Sequence, residues 1–255
     1  MKQIKHIALL LLTVAYLSAT AGGTENARAS FEQGTAAYKN GEYLEALAYF
    51  KEAETDTEGF AINYNLGNTC YKLNKIPESI LYLERALKFD PANEDARYNL
   101  RLANERIADR IESLPKTKLA LWWEDFRFGM GPDGWAYITV ILSIAAALFF
   151  FLFAFGKNSG LRRFGFFTGL ICVFLLIAGI TLSSSAEAFR YTPFSAVIFT
   201  DKVDVKSEPR QESTEVFVLH AGTRVSLLRS EGDWYHIEIA SGNRGWIKEE
   251  DLRKI

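Results

Sequence analysis

Side chains capable of covalent, acid–base or metal chemistry are few in this chain and lie far apart. Its 255 residues include two cysteines and three histidines. The sequence contains no G-x-S-x-G motif, phosphate loop, H-E-x-x-H helix or C-x-x-C pair. His220 and His236 lack the neighbouring His, Cys or acidic residues that a metal site needs. We therefore expect a protein that is not an enzyme and that uses no cofactor or metal.

The charges and cysteines exclude two further classes of function. The formal net charge is −2, with acidic and basic residues interspersed, so no basic face for nucleic acid is expected. Cys172 lies inside an apolar run and Cys70 far outside it, so the two thiols cannot form a disulfide and do not report the redox compartment. The remaining candidate chemistry is recognition, and it depends on the elements that would position polar and aromatic side chains.

Two long apolar runs divide the chain. Residues 134–155 and 164–183 carry no charged side chain, and about 20 residues suffice for a helix to cross a bilayer. The short polar stretch 156–163 between them predicts a helical hairpin. Because an ionisable group inside a span usually marks a transport path, its absence predicts an anchor. Two crossings place both flanks of the hairpin on the same side of the membrane.

The N-terminus predicts export of the flanks. Residues 1–21 begin with Lys2 and Lys5, continue with an apolar stretch and end in Ala19-Thr20-Ala21, the pattern of a secretory signal peptide. An uncleaved N-terminal anchor is the alternative, and either one exports the domain after it. The loop 156–163 holds three basic residues and no acid, as expected of a cytoplasmic loop. A cytoplasmic N-terminal domain is the alternative topology.

The N-terminal part repeats itself with an offset of 33 residues. The stretch 34–39 (GTAAYK) aligns with 67–72 (GNTCYK), and further on Ala46, Phe50 and Ala53 align with Ser79, Leu83 and Ala86. Small residues at fixed positions let two helices cross closely, and the pattern resembles the tetratricopeptide repeat (TPR). It predicts an α-helical solenoid over residues 26–114, with two repeats and one long amphipathic capping helix that ends before Pro115.

The TPR resemblance implies a concave peptide-binding face on the first helix of each repeat. Phe31 stands where a carboxylate-clamping repeat has lysine, so a clamp for a peptide C-terminus is not expected. In the alternative, the tyrosines only pack between repeats and the asparagines only bond neighbouring helices. The residues that the register places on this face are Tyr38, Lys39, Tyr64, Asn65, Asn68, Tyr71 and Lys72.

An aromatic segment at residues 115–133 precedes the first apolar run. It contains Trp122, Trp123 and Phe126, and Trp side chains favour the headgroup region of a bilayer. We expect a segment that lies on the membrane surface, with a docking contact as the alternative.

The C-terminal part alternates apolar and polar residues in short segments separated by turns. Five short strands in so few residues predict a small all-β barrel. Residues 203–207 (VDVKS), 219–223 (LHAGT), 232–234 (GDW) and 242–247 (GNRGWI) resemble a bacterial SH3-like (SH3b) domain, over residues 195–255. Such domains bind peptides or cell-wall material, which makes Trp234, Tyr235 and Trp246 candidate ligand contacts. Alternatively the tryptophans only plug the barrel.

The order of these parts resembles that of the BatE-type proteins of the Bacteroides aerotolerance (Bat) family. The resemblance implies a bacterial inner-membrane protein with periplasmic TPR and SH3b domains. It further implies a non-enzymatic scaffold for protein–protein interaction in aerotolerance or the cell envelope, beside von Willebrand A-type Bat membrane proteins and a MoxR-type ATPase. The alternative is a protein that binds peptidoglycan, or senses the cell wall, through its SH3b domain.

Overall fold

The computed structural model describes residues 25–55, 58–111, 117–119, 122–123, 126, 131–191 and 195–255. The predicted signal peptide, residues 1–21, lies outside them, as does most of the aromatic segment 115–133. The predicted fold class is confirmed: a helical TPR region is followed by two apolar helices and an antiparallel β region.

Five helices form the N-terminal region. The first, α1, covers residues 25–40, and the others are α2 (Tyr43–Glu54), α3 (Phe60–Lys72), α4 (Ile76–Phe89) and α5 (Glu94–Asn104). The turns of the two repeats are equivalent, because Gly41 and Asn74 both have a left-handed backbone, with φ of 83° and 62°. Each donates its backbone N–H to a tyrosine carbonyl three residues earlier. The 33-residue offset is therefore a structural repeat.

Close helix crossings explain the small residues of the repeat. A Cβ atom on Gly34 would lie 2.8 Å from the Phe50 ring, and one on Gly67 would lie 2.7 Å from Cγ of Leu83. Phe50 and Leu83 are both fully buried. In each repeat a bulky side chain of the second helix thus sits against the glycine of the first helix.

The predicted long capping helix is wrong, because α5 ends at Asn104. The apolar residues whose spacing predicted a helix through Leu114 instead contact the β region. Ile107 contacts Gly222 of the β region, and Ile111 packs against the β-barrel core. Contacts with another domain therefore override the helical periodicity.

The C-terminal region contains seven strands rather than the five predicted. They are β1 (Ser195–Ile198), β2 (Lys202–Lys206), β3 (Glu215–His220), β4 (Arg224–Glu231), β5 (Trp234–Glu238), β6 (Arg244–Lys248) and β7 (Leu252–Lys254). All pairs are antiparallel, in the order β3-β2-β6-β5-β4-β1-β7. The sequence did not predict β7, because three residues show no periodicity. Alternate residues such as Val205, Ile237 and Ile247 form the core.

The two apolar helices are a separate unit of the chain. They are α6 (Gly131–Phe155) and α7 (Ser159–Tyr191), and the segments Gly134–Phe155 and Ser159–Ser185 are long and apolar enough to span a membrane. The predicted loop 156–163 is shorter than expected, because α7 already begins at Ser159, where the side chain of the preceding Asn158 accepts the Leu161 N–H at 3.0 Å. A Cβ on Gly165 would lie 2.8 Å from the Phe149 carbonyl, so the helices cross closely.

Candidate recognition surfaces

The first helices of the repeats carry the predicted peptide-binding residues. Tyr38 is half-buried and meets the Tyr43 ring edge-on at 5.3 Å. Burial raises the pKa of Tyr38, and the neighbouring phenols of Tyr43 and Tyr64 raise it further. The Tyr38 hydroxyl therefore stays protonated and can act as a hydrogen-bond donor at neutral pH.

A polar cluster joins α3 to α5. Asn99 donates its side-chain N–H groups to Asn68 Oδ1 at 2.8 Å and to the Tyr64 hydroxyl at 3.2 Å. Asn68 and Tyr64 thus bond a neighbouring helix, which is the alternative role considered for the asparagines. Sequence reasoning missed Asn99, although the stretch 98–100 (YNL) matches 64–66 (YNL) and makes Asn99 the equivalent of Asn65 in the repeat.

The other predicted residues of this face differ in how accessible they are. The Arg106 guanidinium lies 5.4 Å from the centre of the Tyr71 ring and donates to Asn74 Oδ1 at 2.7 Å, so it covers Tyr71. Lys39 and Lys72 are exposed, and Asn65 is half-buried. A ligand on this face would therefore meet the two lysines and Asn65 before it met Tyr71.

The three aromatic candidates of the β-barrel, Trp234, Tyr235 and Trp246, have different surroundings in the structure. Trp246 is 4% exposed, and its ring contacts His236 at 4.9 Å and the Arg229 guanidinium at 5.1 Å. Tyr235 packs partly against the barrel core. Trp234 instead lines a polar pocket of about 240 Å³ whose other residues include Lys202, Asp204, Lys206 and Gln211. Trp234 is the aromatic side chain placed to contact a polar ligand.

The β-barrel and the helical array share an apolar core. Val197 and Ile255 of the barrel are buried in one cluster with Ile80, Leu83 and Ala103 of the helices. Gly222 makes a very close approach, since a Cβ there would lie 2.5 Å from Ile107 Cγ2. The barrel therefore covers α4 and the end of α5.

Polar contacts surround this shared core, and Asp109 makes three of them. Its carboxylate accepts the His220 backbone N–H at 2.7 Å and the Thr223 hydroxyl at 2.6 Å, and the His220 ring lies 2.7 Å away. Burial alone would raise the pKa of Asp109, but the hydrogen bonds from Thr223 and His220 outweigh it and hold this pKa below its usual value. Asp109 therefore contacts the barrel as a carboxylate.

Two further pairs join the domains. Arg224 lies 3.3 Å from Glu84 of α4, and Arg85 donates to the Lys254 carbonyl at 2.8 Å. Glu84 and Arg85 both belong to α4 and contact the barrel. The polar contacts and the apolar core between the two domains therefore involve the same helix.

The described residues contain little reactive chemistry. Cys70 is 1% exposed, and burial raises its pKa to about 12, so it is a neutral thiol at physiological pH. Across the described ranges, no group of three or more His, Cys, Asp or Glu side chains is arranged to hold a metal ion. The recognition surfaces of the array and the barrel are thus the main candidates for function.

Comparison with known proteins agrees with the two folds. Residues 201–253 match the model of the bacterial SH3 domain, and residues 15–59 and 31–94 match the model of the tetratricopeptide repeat. The first repeat match begins within the predicted signal peptide. A stretch of 82 residues, 32% of the chain, is 30% identical to a protein of Bacillus subtilis (strain 168) described as the putative N-acetylmuramoyl-L-alanine amidase YrvJ. The chain spans only 15% of that protein. The chain therefore combines a TPR region and an SH3b domain with two apolar helices.

Proposed function

We propose that this protein is a non-enzymatic, membrane-anchored scaffold that presents its TPR and SH3b domains in the periplasm for protein–protein interaction. The observation that carries the proposal is the shared core of Val197 and Ile255 with Ile80, Leu83 and Ala103. A common core makes the two recognition domains one body, and the apolar hairpin would hold that body at the membrane. The proposed domain limits are those predicted from the sequence, except that α5 ends at Asn104 and the second apolar helix begins at Ser159.

The same core supports the proposed topology. Two domains that pack against each other must share a compartment, and an even number of spans between them satisfies this requirement. The signal-like residues 1–21 and the basic residues near the hairpin turn favour the periplasm over the cytoplasm.

A reporter fusion would test this topology. Alkaline phosphatase, which is active only outside the cytoplasm, is fused after Asn158 and, separately, after Ile255. We expect an active enzyme at Ile255 and an inactive one at Asn158. The reverse pattern would place both domains in the cytoplasm and overturn the proposal.

The proposed partners come from the resemblance to BatE-type proteins, namely von Willebrand A-type Bat membrane proteins that act with a MoxR-type ATPase. The proposed contact face consists of Tyr38, Lys39, Tyr64, Asn65, Asn68, Tyr71 and Lys72. Its exposed lysines and the half-buried Asn65 support this role, whereas the bonds of Asn99 show that Asn68 and Tyr64 also hold the helices together.

Site-specific crosslinking in intact cells would test this face. A photo-activated amino acid at Lys72 should capture a Bat membrane protein. The same amino acid at Leu44, which is 70% exposed on α2, is the matched control and should not. Equal capture at both positions, or none at Lys72, would count against the TPR face as the contact.

A second candidate function, binding of peptidoglycan, is favoured by the pocket beside Trp234 and by the similarity to the Bacillus subtilis amidase. Sedimentation of the detergent-solubilised full chain with purified wall sacculi tests it. Retention that falls in Trp234→Ala and persists in Leu228→Ala, a half-exposed control, would favour the cell wall as ligand. If the wild-type chain is not retained, or if Trp234→Ala is retained as well as wild type, this candidate is excluded.

A further inference from the structure

A groove of about 590 Å³ lies between the helical array and the barrel. Helices α2 and α4 and the turn before α4 form one wall, which includes Lys51, Arg85 and, in the turn, Lys75. The end of β1 and the last residues of the chain form the other, which includes Phe199, Arg253 and Lys254. The groove exists only while the two domains are packed together, and it is separate from the TPR face and from the pocket beside Trp234.

The groove carries an excess of positive charge. Its lining contains five cations and two acids, Glu78 and Glu249. Three of the cations have acidic partners: Lys51 lies 2.9 Å and Arg85 3.8 Å from Glu54, and Lys254 lies 2.7 Å from Glu249. No acid pairs with Lys75 or Arg253 in the described part of the chain; Arg253 donates only to backbone carbonyls. One unpaired cation thus lies on each wall.

Apolar and aromatic side chains form the rest of the surface. Leu81 and Tyr82 are each 5% exposed, and Leu47 and Phe199 are half-buried beside them. The Lys51 ammonium lies 4.6 Å from the centre of the Tyr82 ring and bonds its hydroxyl. This fixes the ring and one cation in place before a ligand arrives, which lowers the ordering cost of binding.

We propose that this groove binds an acidic peptide segment of a protein partner, with carboxylates at Lys75 and Arg253 and an apolar side chain against Leu81 and Tyr82. The proposal rests on the proposed scaffold function and adds a second contact site to it. Charge complementarity selects the ligand, because unpaired cations on both walls favour an anion. The apolar strip favours a peptide over a sugar or a nucleic acid backbone, and the net charge of −2 offers little attraction to a polyanion.

The position of the groove has a consequence for the domains. A ligand that contacts both walls binds only the packed arrangement and therefore stabilises it by mass action. Partner binding would thus tighten the contact between the SH3b domain and the TPR array.

Fluorescence anisotropy with the full chain in nanodiscs tests the proposal. The probe is a short fluorescein-labelled peptide that alternates glutamate and leucine, and its control has lysine in place of glutamate. We expect binding of the acidic peptide alone, weakened by added salt because the rim charges are exposed. Lys75→Glu and Arg253→Glu should each weaken binding about tenfold, since each replaces attraction by repulsion. Arg97→Glu, an exposed change outside the groove, should leave it unchanged.

Three outcomes would overturn the proposal: no binding, equal binding of both peptides, or equal loss in Arg97→Glu. A purified muropeptide that competes with the acidic peptide and loses affinity in the same two variants would reassign the groove to the cell wall. Failure here is distinguishable from failure of the scaffold function, because crosslinking at Lys72 reports on a different face. Hydrogen exchange in α4 that slows when the acidic peptide binds would add support, and unchanged exchange would contradict the coupling.

Discussion

The second helices of the two repeats, α2 and α4, share one sequence pattern and have different surroundings. At equivalent positions α2 carries Leu47 and Ala48 where α4 carries Ile80 and Leu81. Leu47 is half-buried and Ala48 exposed, whereas Ile80 and Leu81 are 0% and 5% exposed. The inner positions, Phe50 and Leu83, are fully buried in both helices.

The difference lies in the outer face of the helix. The SH3b barrel covers the outer face of α4. Two charged residues of α4 also contact the barrel, because Glu84 pairs with Arg224 and Arg85 donates to the Lys254 carbonyl. A short solenoid needs a cap on its last repeat. Here the cap is a β-barrel from the far end of the chain, and the sequence of α4 is adapted to it.

Disrupting the contact at Gly222 should expose the outer face of α4, as that of α2 is exposed, and should destabilise the protein more than the other changes proposed below. Gly222→Val places a side chain 2.5 Å from Ile107 on a backbone with φ of 93°. The left-handed backbone costs roughly 1–2 kcal/mol and overpacking typically about 1–3 kcal/mol, together about 3 kcal/mol. We expect hydrogen exchange in α4 to rise towards that of α2, measured by mass spectrometry on the full chain.

Gly232→Val is the matched control for Gly222→Val. Gly232 also has a positive φ, of 57°, but a Cβ there would have no neighbour within 4 Å among the described residues. This variant should cost about 1–2 kcal/mol within the barrel and leave exchange in α4 unchanged. If both variants loosen α4 equally, strain in the barrel and not the lost contact is responsible.

Gly34 and Gly67 lie where the two helices of each repeat cross, and replacing them by alanine should destabilise the two repeats to different degrees. Gly67→Ala would press on Leu83, including its backbone N at 3.2 Å, while the three atoms nearest to a Cβ on Gly34 all belong to the Phe50 ring. Leu83 also belongs to the core shared with the barrel, so it has less room to move. We expect Gly67→Ala to cost about 2–3 kcal/mol and Gly34→Ala about 1 kcal/mol, within the range for overpacked cores. Equal melting temperatures would contradict the extra constraint on α4.

Removing the charge of Asp109 should weaken the cap in a pH-dependent way. A carboxyl whose pKa is lowered by folding adds stability above its unfolded pKa of about 3.9, and that stability is lost as the pH falls through the lowered value. His220 is the titratable side chain that faces it. Asp109→Asn should cost about 2 kcal/mol at pH 7, as for hydrogen bonds to a charged group.

The difference in stability between wild type and Asp109→Asn should begin to shrink below about pH 4, where Asp109 of the unfolded chain becomes protonated. It should shrink further as the pH falls through the lowered pKa of folded Asp109. Exchange in α4 at several pH values measures it, and Asp95→Asn, an exposed change on α5, is the control. A difference that is the same at pH 3 and pH 7 would exclude a role for the Asp109 charge.

The sequence predicted the fold classes because each rests on local periodicity or composition. The offset of 33 located the repeats, the uncharged runs located α6 and α7, and the alternating segments located most of the strands. It did not predict the end of α5, because Ile107 and Ile111 have helical spacing but pack against a domain almost a hundred residues later in the chain. The outer apolar residues of α4, Ile80 and Leu81, are a sequence feature that could have indicated that another domain covers this helix.

The candidate sites were less predictable, because they too depend on contacts between residues that are far apart in the sequence. The repeat register placed Asn68 and Tyr64 on the first helices, yet it could not show that Asn99 bonds both. Adjacent residues Trp234 and Tyr235 point to opposite sides of a strand, so one lines a pocket and the other joins the core. The groove between the domains has no sequence signature, because its walls come from segments more than a hundred residues apart.

The smallest expected effect concerns Ser79, which replaces Ala46 of the first repeat. Ser79 is fully buried, and its hydroxyl has no hydrogen-bond partner among the described residues. A buried polar group without a partner costs about 1–3 kcal/mol, so Ser79→Ala should stabilise the array by about 1 kcal/mol and make α4 more like α2. The contrasting change is Thr69→Val, since the Thr69 hydroxyl is equally buried but donates to the Asn65 carbonyl at 2.7 Å. Thr69→Val should destabilise the array, because it removes a satisfied hydrogen bond. A melting temperature that rises in Ser79→Ala and falls in Thr69→Val would show that the missing hydrogen-bond partner, and not the burial of a hydroxyl, weakens the second repeat.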